Sequence, residues 1–179
     1  FAGAELSEAQ RSRVSAINEQ LASLSAEFDR LLLDDSNDLA IQLPDDSRRT
    51  GLTPEEVASC KQAAQERNLE GYVIPLLNYS GHPLLAKLEN RELRQEILER
   101  TLSRGSRENQ FNTSAVIAEM LKLRKEKAEL FGFGNYAEYV TSQQTAKNPA
   151  RIHDVLRYIA PRAVVNAEIE RQLLQELMI

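Results

Sequence analysis

His82 and His153 are the two imidazoles of the chain, and they stand 71 positions apart. A hydrolytic zinc site needs several His, Cys or carboxylate donors at fixed distances. Its most compact form is His-Glu-x-x-His, where two imidazoles on one helix face share the metal and the glutamate activates water. His82 is followed by Pro83 and His153 by Asp154, so neither belongs to that motif. Cys60, the one cysteine, falls within an amphipathic helical pattern and reads as a small buried packing residue rather than a nucleophile. Asp34–Asp38 alternates acidic and polar residues as a calcium loop does. Leu39 and Asp45, however, occupy the positions where such a loop needs glycine and a bidentate glutamate. Phe131-Gly132-Phe133-Gly134 lacks the third glycine of a phosphate loop, and no Gly-x-Ser-x-Gly elbow is present. Arg104 and Arg107, in a polar loop running to Phe111, are residues of the type that receives a peptide carboxylate. The competing reading for them is a solvated loop. These patterns predict no catalytic residue and no metal ligand, identify no substrate-binding residue, and predict that the chain by itself catalyses nothing.

The elements that would carry these residues are helical. Ser7 and Gln10 have the capping-box spacing ahead of Val14, Ile17, Leu21, Leu24, Phe28 and Leu31. That alternation of threes and fours predicts a helix from Glu8 to about Leu33, roughly 39 Å long. Its seam serves either a coiled-coil dimer or packing within the chain, and fewer than four clean heptads favour the latter. Leu39–Leu43 and Gly71–Leu77 are short apolar runs that predict a small antiparallel strand pair. Between them Thr53-Pro54-Glu55-Glu56 opens a helix that ends near Asn68. Asn78–Pro83 reads as a loop, followed by a short helical piece through Leu88. Asn90 caps a helix with Leu93, Ile97 and Thr101 or Leu102 inward, a Glu96–Arg100 surface pair, and Gly105 at its end.

Asn112 caps a longer helix, Thr113 to Phe131, whose apolar residues spread over more than half its circumference. Gly132 is placed to end it in the left-handed conformation with Phe133 folding back, and a new helix starts after Asn135. Asn148-Pro149 opens another, with Ile152, Val155, Leu156 and Ile159 as its inner face. Pro161 should kink or break it, leaving a final helix from Arg162 to Ile179 that carries Val164, Leu173, Leu174 and Leu177. The fold class is mainly α: one helical lobe of antiparallel helices, residues 1–179, with one small antiparallel strand pair.

Residues 123–139, Leu-Arg-Lys-Glu-Lys-Ala-Glu-Leu-Phe-Gly-Phe-Gly-Asn-Tyr-Ala-Glu-Tyr, resemble a segment of the thimet oligopeptidase family of zinc metallopeptidases. The likeness is strongest to its bacterial dipeptidyl carboxypeptidase (peptidyl-dipeptidase) branch. Supporting pieces lie in the same order: LASLSAEFDRLLLDD at 21–35, LEGY at 69–72, NRELRQE at 90–96 and AKNP at 146–149. The resemblance implies two helical lobes around a deep channel, zinc on the lobe built from later sequence, and cleavage of short peptides with release of C-terminal dipeptides. It makes this chain a non-catalytic lobe, part of the opposing channel wall. No cofactor is expected in it, zinc belongs to the parent enzyme, and its partner is the remaining catalytic part of the parent chain. The alternative from a different class is a self-contained helical protein-binding module.

With 42% hydrophobic and 27% charged residues the composition is that of a globular protein. A net charge of −5 argues against nucleic-acid binding, and no apolar run approaches the ~20 residues of a membrane span. One cysteine fits a reducing compartment, and the cytoplasm is the expected location; the chain opens on Phe1, so its targeting is not read. If later sequence normally covers the final helix, Leu173, Leu174 and Leu177 are left open, and weak homodimerisation through that helix is expected.

Overall fold

In the computed structural model the residues described are 5–76 and 82–178. Ser7 opens the first helix as its spacing requires. Its amide donates to Gln10 Oε1 at 2.9 Å, and its Oγ accepts from the Gln10 amide at 3.3 Å. Helix α1 then runs from Glu8 to Asp38, five residues past the expected end. The extension has a cause. Asp35 is fully buried and fastened to a distant loop, and Ser36 Oγ donates to the Leu32 carbonyl, so the acidic stretch is helical rather than a calcium loop. Ile17 and Leu31 are buried and the rest of the seam is half-buried, so the chain covers it itself.

Strands β1 (Ile41–Leu43) and β2 (Tyr72–Ile74) pair antiparallel, Ile41 opposite Ile74 and Leu43 opposite Tyr72. Both are shorter than the apolar runs that forecast them. Leu77 and the expected loop at Asn78–Gly81 lie outside the described residues. Side chains alternate across a strand, so the strand pair has two apolar faces. Ile41, Leu43 and Ile74 face a core with Cys60, Leu84, Leu88, Leu93 and Ile97, while Val73 packs on Ala63 and Ala64.

Helix α2 (Pro54–Gln65) is held by a complete capping box, with Thr53 Oγ1 accepting from the Glu56 amide and Glu56 accepting from the Thr53 amide. It closes at Asn68, whose φ of 54° lets Leu69 N–H reach the Ala64 carbonyl. A 3₁₀ turn at Pro83–Ala86 leads to α3 (Arg91–Ser103), capped by Asn90. Thr101 is the inward residue of the expected pair and Leu102 faces solvent. Glu96 bonds Arg100 at 2.8 Å and is shared with Arg48, also at 2.8 Å.

Helix α4 (Ser114–Leu130) begins one residue later than expected. Thr113 sits just before it with its hydroxyl donating to the Gly105 carbonyl, and Asn112 Oδ1 accepts from the Ser114 amide. Its end is a full Schellman motif. Gly132, at φ +80°, donates to Glu129 and Phe133 donates back to Ala128, each at 3.0 Å. Asn135 then caps α5 (Tyr136–Ser142).

Helix α6 runs unbroken from Pro149 to Leu177, capped by Asn148, so the break expected at Pro161 does not occur. Proline removes one N–H, but the carbonyl it orphans lies on a helix open to solvent, where water can serve it. Arg162 braces the same turn. Its Nη1 donates to the Tyr158 carbonyl at 2.6 Å, and its guanidinium lies 3.9 Å from the Tyr158 ring centroid. A second correction concerns packing. Ile152, Val155, Leu156 and Ile159 do not form an inner face; α6 has no buried residue, and its large apolar side chains are 37–83% exposed. Periodicity shows that a face is apolar, and it does not supply the surface that covers it.

The chain divides into two compact units, residues 20–120 and residues 1–19 with 121–179. The first holds the core built on the strand pair. In the second, Arg13 grips Glu126 with two N–H groups at 2.5 and 2.6 Å, Lys127 donates to Asn18 at 2.7 Å, and Leu123 and Ala128 are buried.

Candidate functional site

Each residue with chemical potential in the sequence has a definite place. His82 is buried at the start of the 3₁₀ turn. Its Nδ1 accepts from the Leu84 amide at 3.2 Å, which puts the ring proton on Nε2, 3.1 Å from the Pro75 carbonyl. Both ring nitrogens are therefore occupied by backbone. His153 stands exposed on α6, in the other unit. Cys60 is buried, and burial pushes its thiol pKa up, away from the reactive thiolate. Among the described residues no three His, Cys, Asp or Glu side chains gather where a metal could be held.

Arg107 gives the sharpest result. Neither a free carboxylate receptor nor a solvated loop residue, it is bound to this chain's own carboxylates. Its Nε donates to Asp35 Oδ1 at 3.0 Å, and Nη2 reaches both Asp35 and, at 2.6 Å, Asp38. Burial works against the charge, but the hydrogen bonds to Asp35 and Asp38 outweigh it and raise the guanidinium pKa. The other Asp35 oxygen takes the Gly105 amide at 2.6 Å. Gly105 adopts φ +70°, and a Cβ there would lie 2.8 Å from a Leu32 methyl. One buried carboxylate thus ties the end of α1 to the α3–α4 connection. In this geometry Arg107 is engaged by the carboxylates of Asp35 and Asp38. This arrangement is invisible to spacing rules because its partners are 70 and 72 residues apart.

Two open hollows lie on the unit formed by residues 20–120. One, of about 400 Å³, is lined by Leu85, Arg91, Arg94, Gln95 and Leu98. Arg94 Nη1 there donates to the Leu88 and Glu89 carbonyls at 2.6 and 2.8 Å, which fixes the turn into α3. The other, of about 420 Å³, is lined by Pro44, Asp45, Asp46, Lys61, Gly71 and Tyr72. Asp46 is held down to about 2, chiefly by hydrogen bonds from Arg49 and Tyr72, with Arg49 also lying over the Tyr72 ring at 5.1 Å. The second hollow brings the Tyr72 hydroxyl to Asp46, but a carboxylate held to about 2 is a weak base, and among the described residues no Ser, Thr, Cys or His lines either hollow.

In the second unit an aromatic corner closes the α4–α5 turn. Phe131 stacks on Tyr139 at 5.1 Å, Phe133 meets it edge-on at 5.7 Å, and Tyr136 lies 5.8 Å away. Arg124 and Lys127 lie over Tyr136 and Tyr139 at 5.5 and 5.8 Å. This corner is the structural content of the segment that carries the family resemblance.

Comparison with known proteins gives the class to which these helices and this corner belong. Residues 84–178 match the model of peptidase family M3, and the chain belongs to that family. Among characterised relatives, it is similar to the dipeptidyl carboxypeptidase of Salmonella typhimurium, 33% identical over 96% of this chain and 26% of that protein. It is also similar to oligopeptidase A of Haemophilus influenzae, 30% identical over 98% of this chain and 26% of the relative. A probable cytosolic oligopeptidase A of Arabidopsis thaliana is 32% identical over 88% of this chain and 24% of the relative. The chain spans about a quarter of the length of the relatives it matches.

Proposed function

We propose that the chain is the helical, non-catalytic part of a zinc metallopeptidase that cleaves short peptides and releases C-terminal dipeptides. The observation that carries this reading is the match along 96 and 99% of the chain to two dipeptidyl carboxypeptidases, each about four times as long. The donors present do not fit zinc. His82 has both nitrogens on backbone, and His153 stands in the other unit. The metal and the water it activates therefore belong to polypeptide outside this segment, and no chemical step is assigned to these residues. Their part is to build a wall of the substrate channel, with the Asp35–Arg107 clamp stiffening one unit and the aromatic corner the other. The partners are the catalytic remainder of the peptidase and, through it, short peptides; the setting is cytoplasmic.

Two measurements test this. The isolated chain is expected to take up no stoichiometric zinc and to leave oligopeptides intact; zinc uptake with peptidase activity lost on chelation overturns the assignment. For a longer polypeptide that includes this segment, an N-terminally blocked pentapeptide should lose a dipeptide from its C-terminus. Cleavage at internal bonds alone overturns dipeptide release in favour of a general oligopeptidase.

A further inference from the structure

We draw no further inference here: the strongest candidate, the apolar face that α6 leaves uncovered from Ile152 to Leu177, carries nothing, because the chain spans about a quarter of its relatives' length and nothing in the structure shows what covers that face.

Discussion

Asp35 is the residue on which the most long-range structure depends. Its carboxylate is 0% exposed and answers three donors, while Arg107 remains 29% exposed on its outer edge. Removing one member of a buried pair strands the other. Asp35→Ala should therefore cost about 3 kcal/mol, the low end for such a pair because water still reaches Arg107. Urea unfolding of the variant reads this directly; a loss below about 1 kcal/mol would show that the clamp is ornamental. Other carboxylates set the acid limit. Asp46 is lowered to about 2 by Arg49 and Tyr72, Glu56 is lowered mainly by Lys87, and Glu126 mainly by Arg13. A depressed folded-state pKa contributes stability that is complete above the unfolded value and disappears as pH falls through the folded one. The urea midpoint should thus hold above about pH 5 and decline steadily from there towards pH 2. A midpoint flat across that interval would remove these three groups from the account.

At the scale of elements, short-range side-chain caps set many of the boundaries. Thr53→Ala removes the acceptor for the Glu56 amide and half of the capping box, and should cost about 1 kcal/mol in a thermal or urea melt. Thr53→Ser should recover most of it. Such caps were legible in the sequence because Ser7, Thr53, Asn90, Asn135 and Asn148 act on amides three residues ahead. The left-handed stop at Gly132 was legible for the same reason, since a Schellman motif is closed within six residues. The strand pair was legible in outline, its ends being set by tertiary contact rather than by composition. What could not be read was anything requiring partners far apart in the chain. Asp35 looked like one member of an acidic run, and only the fold brings Gly105 and Arg107 to it, which both lengthens α1 and engages Arg107 with carboxylates of this chain. Proline 161 misled for a complementary reason: the rule against it assumes a carbonyl shut away from water, and α6 leaves that carbonyl in water. Histidine spacing was enough to dismiss a His-Glu-x-x-His helix, whereas the burial of His82 against Pro75 and Leu84 was not foreseeable.

For the whole molecule, the two units differ in how firmly their parts are tied. The core of residues 20–120 interlocks strands and helices, and a truncation such as Ile97→Ala should lower global stability by about 2–5 kcal/mol. Helix α6 contributes no buried side chain, so its backbone is not insured by the core. Its opening should therefore be a local event, with amides that exchange with solvent many times before the strand pair opens once. Hydrogen exchange should resolve two populations, a protected one that includes Val73, Ile74, Leu93 and Ile97 and a fast one along residues 152–176. Pro161→Ala, which restores a missing helix hydrogen bond, should slow the fast population and leave the slow one untouched. A single uniform rate would mean that α6 melts with the rest. The uncovered helix thus gives the molecule a second, softer melting point, one set by its own turn-by-turn cooperativity. Any partner that covers α6 would register first as vanished exchange, before any change in shape or activity could be seen.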